Sequence, residues 1–212
     1  GSTSTKMGSP EIKLGLIPGG GATQRLPRLV GAKASLDIIL SGDFFAAEAC
    51  LAMGLLDKTI DSDLLEGAVS FAKKVIVNGG SLPIIRNMEA TLEKDVTEIF
   101  DSARNKIELS ARGLIAPNYC IDAVENAFKL PFNEGMERER KLFVKCEMSE
   151  QSRAQRHVFF AERAALRIPS IPRDSVLRTI KTVAVIGAGT MGGGIAMNFA
   201  NARIPVHVIE VK

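Results

Sequence analysis

The chain has two histidines, three cysteines and no apolar run near the roughly 20 residues a membrane span needs. His157 and His207 are too few for a zinc site. Cys50, Cys120 and Cys146, odd in number and far apart, give neither a disulfide framework nor metal-ligand spacing, and they fit a reduced compartment. The N-terminus lacks the apolar core of a signal peptide, so the expected location is the cytosol or an organelle matrix. An excess of either charge is missing too: 27 basic residues stand against 24 acidic ones, net +3, which argues against nucleic acid or an anionic membrane as a partner. Phosphate-bearing small molecules stay compatible with that balance. Internal repeats and low-complexity tracts are absent. What is present is 46% hydrophobic residues over 212 positions, enough for one large core or two small ones.

Along the chain, the first few residues carry no fold expectation. Ser9-Pro10-Glu11 reads as a helix entry, with serine as N-cap and proline at the first helical position, and Gly15 closes that short element. Pro18-Gly-Gly-Gly21 predicts a sharp turn. The glycines offer backbone N–H groups, but no Lys-Ser or Lys-Thr follows as a phosphate loop requires, so a tight turn is the reading. Ala22 to Val30 predicts a helix broken or restarted near Pro27, residues 32 to 40 resume it, and Ser41-Gly42-Asp43 ends it.

Ala46 to Met53 predicts a brief helix stopped by Gly54, and Leu55 to Ile60 a short strand. Leu65, Ala68, Ala72, Val75 and Ile76 recur at the spacing of one helix face, with Asn78-Gly79-Gly80 as the stop. Further helices are expected at 83 to 92, 95 to 112, 118 to 129 and 133 to 166. The last carries Met136, Phe143, Cys146, Ala154, Val158 and Ala161 on an approximate stripe among dense charge, which reads as a long surface helix. The two prolines of Ile168-Pro-Ser-Ile-Pro-Arg173 then mark a linker.

After the linker, Lys181 to Ile186 predicts a strand, about Met191 to Arg203 a helix, and Val206 to Val211 a second strand. That is one β-α-β unit. Gly187, Gly189 and Gly192 fall between the first strand and the helix, the context a dinucleotide-binding turn demands. Gly187 allows the tight turn, Gly189 lets backbone approach a pyrophosphate, and Gly192 allows close packing of helix on strand. Free N–H groups of the helix start, at Thr190 and Met191, face the phosphates. Glu210, at the end of the second strand, stands where the acid that binds an adenosine ribose is expected, and its charge favours NAD over NADP. His207 is expected to be a strand residue packed beside the helix. Two strands are too little for a complete dinucleotide fold.

Ser9-Pro-Glu-Ile-Lys-Leu-Gly-Leu-Ile-Pro-Gly-Gly-Gly-Ala-Thr-Gln-Arg-Leu-Pro-Arg28 resembles the second catalytic segment of the crotonase, or enoyl-CoA hydratase/isomerase, family. Ser41-Gly42-Asp43, Ala47-Glu-Ala49 and Gly54-Leu-Leu-Asp57 continue the resemblance in order. Gly113-Leu-Ile-Ala-Pro-Asn-Tyr-Cys-Ile-Asp-Ala-Val-Glu125, Pro131-Phe-Asn-Glu-Gly135 and Phe159-Phe-Ala-Glu-Arg163 are similar to the connecting region of enzymes that fuse this family to 3-hydroxyacyl-CoA dehydrogenase. Taken together, the expected fold is α/β and predominantly helical: the C-terminal part of a crotonase-like domain over 8–166, a linker over 167–180, and the first β-α-β unit of a Rossmann fold over 181–212.

The resemblance implies fatty-acid β-oxidation on acyl-CoA thioesters with NAD, in a bacterial cytoplasm or a peroxisomal matrix. It also implies that Glu11 is one of two catalytic carboxylates, exchanging a proton with the α-carbon of an enoyl thioester while its partner handles water. None of the ten residues before Glu11 is acidic. These 212 residues therefore read as an internal fragment, inactive by itself, and self-association through exposed helices is the alternative reading.

Overall fold

Proline at position 10 has no N–H to lose, which suits it to the first position of a helix. There the chain turns into a 3-10 helix, Pro10–Leu14, closed by Gly15 in left-handed backbone at φ 65°. The computed structural model describes residues 1–79, 82–90, 95–166, 168–172, 174–176 and 178–211. They divide into two units, 1–166 and 167–212.

In the first unit, β1 (Lys6–Gly8) precedes the 3-10 turn and α1 (Ala22–Ser41) follows it. The break in α1 is at Gly31, whose φ of 82° and ψ of 175° leave the helix, and not near Pro27. Proline forfeits one helical hydrogen bond, but glycine alone tolerates the positive φ of the kink. β2 (Phe44–Ala46) pairs antiparallel with β1, Met7 opposite Phe45. Three-residue strands are too short for alternation to reveal, so β1 had no signal in the sequence.

A six-residue helix, α2 (Ala47–Ala52), comes next. The strand expected over Leu55–Ile60 is absent: the N–H groups of Leu55 and Leu56 turn back onto the Cys50 carbonyl at 2.8 and 3.3 Å. An isolated bridge, Ser2 to Ile60, and a bond from the Gly1 amino group to the Lys58 carbonyl tie that stretch to the start of the chain. α3 (Leu64–Val77) starts at Asp63, whose carboxylate accepts from the Glu66 N–H at 2.8 Å. Its periodic apolar face stands in solvent, with Leu65 at 74% and Ile76 at 76% exposure.

The helix expected at 83–92 shrinks to a 3-10 turn at Ile85–Asn87, none of it buried. Without a face to bury, so short a segment cannot offset helix nucleation; residues 91 and 92 lie outside the described residues. α4 (Val96–Ser110), α5 (Ile115–Lys129), α6 (Phe132–Glu147) and α7 (Glu150–Ala165) complete the unit. The helix expected over 133–166 is thus two. Ser149 takes extended backbone and its Oγ accepts from the Ser152 N–H at 3.0 Å, so a serine cap starts α7 where a surface stripe had suggested continuity.

The core lies where α5 crosses α1, with Ile17, Leu36, Ile39, Phe100, Ile121 and Val124 buried together. Cys120 and Cys146 sit in it, each at 0% exposure. Burial pushes the Cys146 thiol up to about 11, against a smaller opposing pull from the Ile17 N–H. Burial, then the nearby charges of Cys146 and Glu11, push Cys120 up as well. Raised folded-state values mean that the unfolded thiols ionise first. Their stabilisation is whole below the ordinary thiol range and is lost as pH climbs toward 11. Stability measured by denaturant midpoint should fall above about pH 8.5, with a slope of up to ~1.4 kcal/mol per pH unit per thiol. If Cys146→Ala leaves that slope unaltered, this assignment is wrong.

In the second unit, described residues from 168 to 180 hold no helix or strand. β3 (Val183–Ile186), α8 (Thr190–Asn201) and β4 (Val206–Ile209) follow, and the strands pair in parallel, Val183 opposite Val206 through Ile186 opposite Ile209. Val185 packs beneath Gly192 of α8 and pairs with Val208. Side chains alternate along strands, so His207 and its partner Ala184 point to the other face. His207 is accordingly exposed, not packed beside the helix as expected.

Candidate functional site

Glu11 is half-buried on the 3-10 turn. The Ser9 hydroxyl, expected to cap the turn, makes no cap bond and donates to Glu11 Oε2 at 2.7 Å. Among the described residues no other hydrogen bond reaches that carboxylate, so Oε1 is left for another proton partner. A cavity of about 250 Å³ opens beside the turn, lined in part by Ile12, Lys13, Gly15, Ile107 and Gln155, and Glu11 does not line it.

The Pro18–Gly21 turn does present one N–H group, that of Gly21, to an anion, and that anion belongs to the chain. Glu139 of α6, 1% exposed, accepts from Gly21 N at 2.7 Å, Thr23 N at 3.2 Å and Thr23 Oγ1 at 2.5 Å. Burial pushes its carboxyl above the ordinary range, and the bonds from Thr23 and Gly21 and the charge of Arg25 pull back only in part. Sequence reasoning missed Glu139 as one acid in the run Glu137-Arg-Glu-Arg-Lys141. A signal was present: Met136, Phe143 and Cys146 form an apolar stripe, and position 139 is the place in that stripe where the pattern skips.

In the second unit the glycine turn is built as its spacing implies. Gly187 has φ 97°, which favours glycine. A Cβ on Gly192 would collide with the Gly187 carbonyl, whereas one on Gly189 would meet nothing within 4 Å. The start of α8, at Thr190 and Met191, has no side-chain cap, and Met191 is 76% exposed. Open approach at Gly189 and uncapped helical N–H groups fit a pyrophosphate. Glu210 lies at this turn, its Oε2 accepting from Ala188 N at 2.6 Å and its Oε1 from Val211 N at 2.7 Å. Glu11 belongs to one unit; Gly187, Gly189, Thr190, Met191, Gly192 and Glu210 belong to the other.

Residues 2–112 match the family model described as enoyl-CoA hydratase/isomerase, and residues 182–212 match that of the 3-hydroxyacyl-CoA dehydrogenase NAD binding domain. The chain belongs to the enoyl-CoA hydratase/isomerase family. It is 37% identical over 209 residues to the peroxisomal bifunctional enzyme of Cavia porcellus, covering 97% of this chain and 29% of that protein. To the fatty acid oxidation complex subunit alpha of Shewanella frigidimarina it is 38% identical over 217 residues, covering 98% of this chain and 30% of the relative. An enoyl-CoA hydratase/isomerase structure from Pseudoalteromonas atlantica T6c aligns at 22% identity with TM-score 0.47, over 81% of this chain and 54% of its own. The chain spans about 30% of the length of the curated relatives it matches.

Proposed function

We propose that these residues belong to a bifunctional β-oxidation enzyme that hydrates, or isomerises, 2-enoyl-CoA and oxidises 3-hydroxyacyl-CoA with NAD. One observation carries the reading: a hydratase/isomerase match and a dehydrogenase NAD-binding match lie in order on one polypeptide. On this reading the crotonase-like part with its connecting helices runs over 8–166, a linker over 167–180, and the dehydrogenase begins at 181. A peroxisomal matrix or a bacterial cytoplasm is the matching location.

In hydration, water adds to the β-carbon of the enoyl thioester and a proton to the α-carbon. Glu11 is the carboxyl that exchanges the α-proton, through Oε1, while Ser9 holds Oε2 at 2.7 Å. A second carboxylate must handle the water, and the chain spans about 30% of the length of its curated relatives. The 212 residues alone are therefore expected to leave crotonyl-CoA absorbance unchanged, since losing one such group costs about 10²-fold or more in rate. In the full-length protein carrying these residues, Glu11→Gln should lower kcat by about 10²-fold or more. Unchanged turnover in that variant would end the assignment of Glu11.

For the second reaction, NAD when bound supplies the hydride acceptor. Gly187, Gly189, Thr190, Met191 and Gly192 would hold its pyrophosphate at the start of α8. Glu210 would take the ribose 2′-hydroxyl, and its charge disfavours the 2′-phosphate of NADP.

A further inference from the structure

Residues 10–23 carry Glu11 near one end and the glycine turn at the other, and side chains of α6 and α7 grip this segment along its length. Ser152 Oγ, from α7, donates to the Leu14 carbonyl at 2.9 Å. Ile17 and Cys146 of α6 are buried in the same apolar cluster. Glu139 of α6 then takes the N–H groups of Gly21 and Thr23 and the Thr23 hydroxyl. The approach is close: a Cβ on Gly15 would lie 2.9 Å from the backbone at Ser152 Cα, and one on Gly19 would lie 2.6 Å from the Phe143 ring.

Packing alone does not explain an acid at position 139. It stands in the apolar stripe of α6, where a leucine would bury as well without the desolvation penalty of a charge. What the carboxylate adds is direction. Its two oxygens serve three donors at the start of α1, so that start and the exit of the Glu11 segment are held in one geometry. Ser152 does the same for the entry, one residue before Gly15.

We propose that Glu139 is a positioning residue: from the connecting helix α6 it fixes the segment that carries Glu11, so that the connecting helices orient the reacting carboxylate. This rests on the reading of Glu11 as that carboxylate.

The test uses the 212-residue chain and needs no turnover. Amide hydrogen exchange at Gly21 and Thr23 and the side-chain carboxyl ¹³C signal of Glu11 are followed by NMR in Glu139→Gln. Exchange at those two amides should rise by about tenfold or more, the factor that loss of a charge-assisted hydrogen bond implies. Ile121 and Val124 in α5 should keep their protection, and the Glu11 signal should move. A destabilised core alone would raise exchange in α5 as well and leave the Glu11 signal in place, and that outcome overturns the proposal. So does unchanged exchange at Gly21 and Thr23.

Should Glu139→Gln fail to fold, Thr23→Val and Thr23→Ser make the same comparison. Valine, lacking the hydroxyl, should loosen Gly21 and shift Glu11, and serine should restore both; if serine and valine behave alike, the proposal fails. If Glu11→Gln spares hydration while these shifts occur, the catalytic reading falls and the clamp stands. The reverse result separates the two the other way.

Discussion

Replacing Ile121 by alanine is expected to cost about 2–5 kcal/mol, a large fraction of the stability margin that a domain of this size holds. Ile121 is fully buried on α5, in the same cluster as Ile39 on α1 and Phe100 on α4. The cost of a large-to-small change depends on whether neighbours can close the void. Here they are tied in place. Gln24 Nε2 of α1 donates to the Ala123 carbonyl of α5 at 2.8 Å, two residues from the substitution. Glu139 secures the start of α1 to α6. A helix anchored on both sides cannot slide inward, so the upper part of the range applies. Denaturant midpoints followed by circular dichroism measure it, and a loss under about 1 kcal/mol would refute this account of the core. Removing the Lys13–Asp43 ion pair serves as the contrast: at 54% and 67% side-chain exposure, it should change stability by less than ~1 kcal/mol.

The second large effect is expected in the other unit. Valine at 192 puts its Cβ onto the Gly187 carbonyl, which is backbone and cannot rotate aside. Gly187 N in turn donates to the Ile209 carbonyl at 2.8 Å, closing the end of the two-stranded sheet. Gly192→Val should therefore open the turn and the strand pairing together. Overpacking of this kind costs about 1–3 kcal/mol or more, and a two-stranded sheet under one helix has little to spare. Slow amide exchange at Val183–Ile186 should disappear. Gly189→Val is the informative companion, because a side chain there enters open space. It should keep the strand amides protected. Equal damage from both substitutions would mean that the two glycines do not divide the labour of packing and approach.

How much of this could be read beforehand follows from the range of each interaction. Gly15, Gly42 and the β-α-β unit are governed by residues within a few positions, and their glycines, proline and apolar strands announced them. The start of α7 was also local, yet Ser149 was outweighed by a stripe that continued on either side of it. Gly31, the position between the two expected helical stretches, is where α1 leaves the helix, whereas Pro27, the more familiar breaker, does not interrupt it. Leu55–Ile60 has the composition of a strand, but a strand exists only with a partner, and Cys50 took its first two N–H groups instead. Of the candidate site, the spacing Gly187 to Glu210 was legible, Glu11 stood out only through the family resemblance, and the Ser9 bond to it was hidden because serine before proline reads as a cap. Glu139 was not legible, since its donors lie in another part of the chain and only a skipped stripe position hinted at them.

The hydrogen bond between Gly21 and Glu139 joins residues 118 positions apart. A ribosome adding roughly 5–20 residues per second takes roughly 6 to 24 s to make that stretch. Throughout that interval the turn behind Glu11 has emerged without its acceptor. The buried N–H groups of Gly21 and Thr23 must stay hydrated until α6 arrives, so the Glu11 segment is among the earliest parts of these 212 residues to be synthesised and among the last to be set.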